Sequence, residues 1–180
     1  MNDLNWFRLT PRTAREHPGI LDLIAAFEPL DHPAGRRAAE FLRDDALRNH
    51  GSTVTHLLVG PKRIEGFIAL NFTDVKLHEQ QSSELGVPHR RELPALKLAW
   101  IAKHRETEIS GMALVFAAYL RAFTALTLGG VVALVLDPFD GDVAATWSGE
   151  PYAFRLSKEK PRGDGVPRGL WLPVRRSADD

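Results

Sequence analysis

The sequence predicts a single α/β domain over residues 1–180, with one mixed central sheet, a parallel strand pair and flanking helices. Three observations predict it. Residues 95–102 (Ala-Leu-Lys-Leu-Ala-Trp-Ile-Ala) and 131–136 (Val-Val-Ala-Leu-Val-Leu) are nearly continuously apolar, as strands buried on both faces are. Between them Glu108 to Thr127 reads as a helix, with Ile109, Ala113, Phe116, Leu120 and Phe123 on one face. Strand, helix and strand then form a right-handed βαβ crossover. Composition agrees: 44% apolar and 26% charged residues mark an ordinary globular chain, long enough at 180 residues to bury a core without a metal or disulfide staple.

Asn5 to Thr10 reads as a short first strand, and Pro18–Glu28 and Ala34–Asn49 as two helices. In the second helix Ala38, Phe41, Leu42, Ala46 and Leu47 share a face at spacings of three and four, and Asn49-His50-Gly51-Ser52 closes it. Thr53–Val59 and Ile64–Phe72 form a hairpin about the turn Gly60-Pro61-Lys62-Arg63. His78 to Pro94 is a polar connection with one helical turn, expected to be the most mobile part of the chain. Beyond Asp137 come a short helix, Asp140 to Ser148, and two late strands, Pro151–Leu156 and Gly169–Val174, separated by a loop rich in Gly and Pro.

The chain contains no cysteine, which excludes a disulfide scaffold, a Cys-based zinc site, an iron–sulfur cluster and a thiol nucleophile. No His/Asp/Glu set has metal-ligand spacing, so no metal is expected, and His56 reads as a hydrogen-bonded core residue. Lys plus Arg (23) balances Asp plus Glu (23), which makes nucleic acid an unlikely partner. The C-terminal region is nevertheless basic: Arg155, Lys158, Lys160, Arg162, Arg168, Arg175 and Arg176 face only Glu159 and Asp164. Met1 to Trp6 does not read as a signal peptide, and Gly111–Leu128, interrupted by Tyr119 and Arg121, reads as too short and too polar for a membrane span. A cytoplasmic protein without membrane contact is expected.

A strand that runs directly into a helix leaves unpaired N–H groups and the positive end of the helix dipole at the junction, which suits an anion. Here that junction is Ile101 to Gly111. It resembles the GCN5-related N-acetyltransferases, in which a strand ending like Leu-Ala-Val enters a Gln/Arg-x-x-Gly-x-Gly/Ala loop. Leu98-Ala99-Trp100 fits the strand end, and Arg105-Glu106-Thr107-Glu108-Ile109-Ser110 fits the loop, with Glu108 in place of the central Gly. Val135 to Asp140, Ala144, Trp147 and Tyr152-Ala153-Phe154 are similar to the family's fifth strand, following helix and aromatic ending. Phe27, Phe41-Leu42-Arg43 and the Ile64–Leu70 strand also look family-like, so the resemblance spans about residues 5–174. It is greatest to the actinobacterial and toxin-type branch.

The resemblance implies a site. Acetyl-CoA, as co-substrate, would lie where strands 4 and 5 splay apart. Its pyrophosphate would rest on the Arg105, Glu106, Thr107, Glu108, Ile109, Ser110 and Gly111 stretch, and its pantetheine along Ala99, Trp100 and Ile101. Asp140 joins the cofactor-contacting set. Tyr152 and Ser148 are the candidate general acids: Ser148 follows Trp147 where the family commonly has Tyr, and Tyr152 is either a displaced acid or, the favoured reading, simply the structural aromatic of the ending. For the base, His78, Glu79, Glu84, His89, Lys97 and His104 have suitable chemistry. A different reading makes Glu106 and Glu108 first-turn carboxylates that satisfy the helix dipole and leave no room for an anion. The implied function is an acyl-CoA-dependent N-acyltransferase that acts on the amine of a small molecule, peptide or protein, in a possible homodimer. Its alternatives are a non-catalytic binding module of the same fold and a toxin-type acetyltransferase of aminoacyl-tRNA.

Overall fold

The computed structural model describes residues 4–88 and 92–174, so His89, Arg175 and Arg176 lie outside the described residues. Its strands are β1 (Asn5–Leu9), β2 (Val54–Val59), β3 (Ile64–Val75), β4 (Leu93–Lys103), β5 (Ala133–Leu136) and β6 (Leu170–Pro173), which lie in one sheet in that order. The helices are α1 (Pro11–Glu16), α2 (Gly19–Ala25), α3 (Pro33–Glu40), α4 (Glu79–Glu84), α5 (Gly111–Gly129) and α6 (Gly141–Ser148). The two apolar runs pair in parallel, as their composition predicts: Ala95, Leu96 and Lys97 of β4 lie opposite Ala133, Leu134 and Val135 of β5. The pairs β1–β2, β2–β3 and β5–β6 are antiparallel. By their contacts the residues fall into two compact units, Met1–Asn71 with Ala99–Leu114, and Phe72–Leu98 with Val115–Asp180.

In the first unit the predicted hairpin is present, with Val54 opposite Leu70 and a register shift at Leu58/Val59. Helix α1 is absent from the sequence reading, although Thr10-Pro11 carries its start signal. The Thr10 hydroxyl accepts from the Thr13 amide at 3.1 Å, and Pro11 occupies the first turn, where no N–H is needed. Helix α3 continues into a π-helical turn, Phe41–Asp45, that keeps Phe41 and Leu42 buried together with Ala38 and Ala46. These residues, with Leu9, Ile24, Phe27, Leu57, Ile64 and Phe67, make one core.

In the second unit Val75, Leu77, Leu93, Ala95, Val135 and Trp171 make another core. The predicted single turn after His78 is α4, and Asp140 caps α6 by accepting from the Val143 amide at 2.8 Å. The expected strand over Pro151–Leu156 is not formed. Tyr152 and Ala153 donate their amides back to the Gly149 carbonyl and Phe154 donates to Trp147, so the segment is a tight turn. One bridge, Arg155 to Trp171, remains of the ladder.

Helix α5 begins at Gly111, within a few residues of Glu108 as expected, but it corrects the reading of its face: its buried side is Leu114, Val115, Ala117, Ala118 and Ala122. The expected face, with Ala113, Phe116 and Leu120, is exposed. The helix is apolar nearly all round, so periodicity cannot select its inner face, and the side with three alanines allows the closer approach. At nineteen residues α5 is also long and apolar enough, by length and composition alone, to cross a membrane, where the sequence reading judged it too polar. Arg121 sits within it and donates to the Ala117 carbonyl at 2.8 Å.

Candidate functional site

The end of β4 and the start of α5 form a loop whose backbone can be accounted for donor by donor. His104 donates its amide to Glu65 and Arg105 to Glu28, while Thr107 donates to the His104 carbonyl. Glu106 donates to His104 Nδ1 at 3.2 Å, and Ile109 to the Thr107 hydroxyl at 3.2 Å. Ser110 caps the helix, its hydroxyl accepting from the Ala113 amide at 3.2 Å. Among the described residues, the amides of Glu108, Ser110, Gly111 and Met112 have no acceptor. They are the donors that a helix start leaves unmatched, and the helix dipole adds positive potential there.

The side chains around this loop differ from the expectation. The Arg105 guanidinium is held by Glu28 in an exposed ion pair. Glu106 is held by Arg63, which reaches its carboxylate at 2.7 Å and its carbonyl at 3.1 Å. Neither Glu106 nor Glu108 lies in the first turn of α5, which contains no acidic residue, so the dipole is not satisfied by carboxylates. Glu108 is exposed and makes no ion pair among the described residues. Sequence reasoning missed Lys103, whose ammonium donates to the Ile109 carbonyl at 3.3 Å and so brings a cation to the loop. No motif marks it, because only the bend of the loop places residue 109 beside residue 103.

Upstream of the loop, Ala99, Trp100 and Ile101 are half-buried on β4, beyond the residues that ladder with β5. Trp100 stacks on Phe41 of the π-helical turn, with centroids 5.1 Å apart and planes 15° apart. His104 is buried against the edge of Phe27 and caps the Glu106 amide, a structural task.

Within the second unit, Ser148 is exposed at the last position of α6. Tyr152 is half-buried and tilted against Trp147 at 4.8 Å, and Trp147 also meets Phe154 edge-on at 5.5 Å. Asp140 has one carboxylate oxygen engaged in capping α6. Of the candidate bases in this unit, His78 begins α4, Glu84 is paired with Arg155 at 2.6 Å, and Lys97 is paired with Asp137 at 2.6 Å. Among the described residues, no group of three or more His, Cys, Asp or Glu is placed to hold a metal.

Asp137 joins three segments. It accepts from Lys97 on β4 and from the Gly169 amide ahead of β6 at 2.8 Å. Partial burial disfavours its charge, but the bonds from Lys97 and Gly169 and the charges of Lys97 and Arg168 outweigh this and hold its carboxyl below the ordinary range. A depressed native value means that the unfolded chain takes up the proton first. The stabilisation is therefore complete above the unfolded value, about pH 4, and is lost as pH falls further through the folded value. Asp137→Asn is expected to flatten the fall in melting temperature below about pH 4. An unchanged acid limb would disprove that role.

No protein-family model matches the chain, and no curated protein matches it. Solved structures do match. A complex of AtaT with acetyl-methionyl-tRNA superposes with TM-score 0.71 at 16% identity, covering 95% of each chain. A structure described as a bacterial toxin gives 0.70 at 13% identity, covering 97% of this chain and 92% of that one. A tyrosine-to-phenylalanine variant of KacT gives 0.67 at 16% identity, covering 84% and 87%. The chain therefore shares its fold with these structures.

Proposed function

We propose that the chain is an acyl-CoA-dependent N-acyltransferase that takes acetyl-CoA as donor and a primary amine as acceptor. The observation that carries this reading is the set of unmatched amides at Glu108, Ser110, Gly111 and Met112, beside the Lys103 ammonium at the start of a nineteen-residue helix. Such an arrangement suits a pyrophosphate: donors and dipole are already in place, and Ser110 has taken over the cap without using them. The backbone of Ala99 to Ile101 would pair with the pantetheine. In the transfer the amine nitrogen bonds to the thioester carbonyl carbon and the carbon–sulfur bond breaks. The amine proton leaves to a base, and the thiolate takes a proton from an acid. Tyr152 is the better acid of the two candidates, because a serine is too weak an acid to do more than relay a proton.

Calorimetric titration with acetyl-CoA tests the reading. Glu108→Gly removes a carboxylate from beside the phosphates and allows closer backbone approach, so it is expected to tighten binding about fivefold, or about 1 kcal/mol. Arg105→Ala is expected to change affinity little, since Glu28 already holds that guanidinium. No binding by either the native chain or Glu108→Gly leaves the non-catalytic module standing.

A second reading makes the acceptor an aminoacyl-tRNA. The likeness to AtaT in complex with acetyl-methionyl-tRNA favours it, as do Lys158, Lys160 and Arg168, which are exposed and make no ion pair among the described residues. The balanced net charge opposes it. Submicromolar tRNA binding that weakens steeply with salt would support this acceptor, and little binding near physiological salt would reject it.

A further inference from the structure

The apolar face that the sequence points inward on α5 is turned outward in the second unit, and the acyl-transfer reading leaves it unused. Phe116, Leu120, Phe123 and Thr127 follow one another at spacings of four, three and four residues. At about 100° per residue all four fall within an arc of about 60°, opposite the buried Val115, Ala118 and Ala122. Phe116 is 59% exposed and Leu120 47%, while Phe123 is half-buried. The threonines on this side add little polarity. Thr124 donates its hydroxyl to the Leu120 carbonyl at 3.0 Å and Thr127 donates to Phe123 at 3.1 Å, so both hydroxyls are spent on the backbone of the helix itself. Arg121, the one charged residue of α5, lies off the stripe and bonds within the helix to the Ala117 carbonyl.

A straight apolar stripe with alternating spacings of three and four is the seam of a two-helix pair. Its occupant has to be uncharged, because a charged partner would strand its charges on this surface. A helix that lies on lipid has Lys and Arg along its polar side, and α5 has a single cation that is already engaged. The surface that meets these terms is the stripe of another molecule of the same chain. We propose that α5 pairs with α5 of a second copy, antiparallel about a two-fold axis, through Phe116, Leu120, Phe123 and Thr127. The direction follows from side-chain size. An antiparallel pair sets Phe116 of one copy against Thr127 of the other and Leu120 against Phe123, so large meets small at both ends. A parallel pair would set Phe116 on Phe116 and Thr127 on Thr127, overfilled in one layer and hollow in another. The two-fold closes the assembly at two copies. The stripe is about 17 Å long, so it buries less than the roughly 800 Å² per partner of a standard interface, and the pair is weak.

Sedimentation equilibrium of the native chain is expected to show a monomer–dimer balance with Kd of about 10–100 µM. Leu120→Glu places a carboxylate beside the two-fold axis and should raise that Kd at least about tenfold. Because Leu120 is exposed in the single chain, the melting temperature of the dilute variant should stay within about 2 °C of the native value. Cross-linking reads the orientation, since the chain has no cysteine of its own. An oxidised mixture of Phe116→Cys and Thr127→Cys proteins should give the mixed disulfide dimer, while neither protein alone should cross-link. A native chain that stays monomeric above about 300 µM would overturn the proposal, and flotation of that monomer with phosphatidylcholine vesicles would assign the face to lipid instead. Native dimer affinity in Leu120→Glu, cross-linking of either cysteine variant alone, or no mixed dimer would overturn it as well. None of these outcomes depends on whether acetyl-CoA binds.

Discussion

Lys103→Glu is expected to weaken acetyl-CoA binding about thirtyfold. The Lys103 ammonium, at the end of β4, sits 3.3 Å from the Ile109 carbonyl, beside the loop proposed to take the pyrophosphate. Reversing its charge replaces an attraction to the pyrophosphate with a repulsion. At separations of several ångströms and a surface-like dielectric, the swing is roughly 2 kcal/mol. Lys103→Gln keeps a neutral donor for the Ile109 carbonyl and separates the two tasks of the side chain. It should cost only about threefold, because the loop remains tied and only the charge is gone. Titration calorimetry on the three proteins, with circular dichroism to show that the fold is kept, gives the comparison. Native affinity in Lys103→Glu would remove the phosphates from this loop.

Trp171→Ala is expected to be the most destabilising single change, at about 3–5 kcal/mol. The side chain is fully buried among Val75, Leu93, Ala95 and Val135, and its indole N–H donates to the Leu156 carbonyl at 3.3 Å. The Arg155 guanidinium lies 5.6 Å from the ring centroid. Truncation would leave a void beside the β5–β6 ladder, while the Leu156 carbonyl keeps its bond from the Gln81 side-chain amide at 2.9 Å. For a chain of this size the melting temperature should drop by roughly 10 °C. Trp171→Phe should keep most of that stability, having lost the N–H but little of the packing. A drop below about 3 °C for the alanine variant would show that the site collapses around the gap.

The elements readable from the sequence are those whose signal is local. Ala38, Phe41, Leu42 and Ala46 reveal their face because the charged residues Glu40, Arg43, Asp44 and Asp45 lie between them, and all four are buried as expected. The runs at 95–102 and 131–136 reveal a parallel pair because only strands covered on both sides can be apolar throughout. Helix α5 gives no such contrast, so its periodicity points Phe116 and Leu120 inward, whereas both are exposed. The strand-to-helix junction between β4 and α5 is legible in the sequence, but the charge pattern around it is not. Glu28 and Arg63, which hold Arg105 and Glu106, are far away in sequence and carry no motif. Their role exists only once β3, β4 and the segment after α2 come together. Tyr152 was read into a strand because aromatic residues favour strands, whereas the Gly149 carbonyl draws the backbone into a turn.

Arg63–Glu106 and Arg105–Glu28 have a consequence for any affinity measured on this protein. Both pairs are substantially exposed, and both fasten the same short loop. Mobile ions at physiological strength screen such contacts over about 8 Å, so the fastening loosens in the same range of salt that would shield a phosphate, bound as proposed, from Lys103. The slope of coenzyme affinity against ionic strength would then contain two contributions: counterions released by the ligand, and disorder admitted into the unliganded loop. Dividing that slope by the usual factor per phosphate contact would count more contacts than the loop has cations. Repeating the titration series with Arg63→Gln, which removes one fastening without touching the amide donors, would separate conformational slackening from true charge neutralisation.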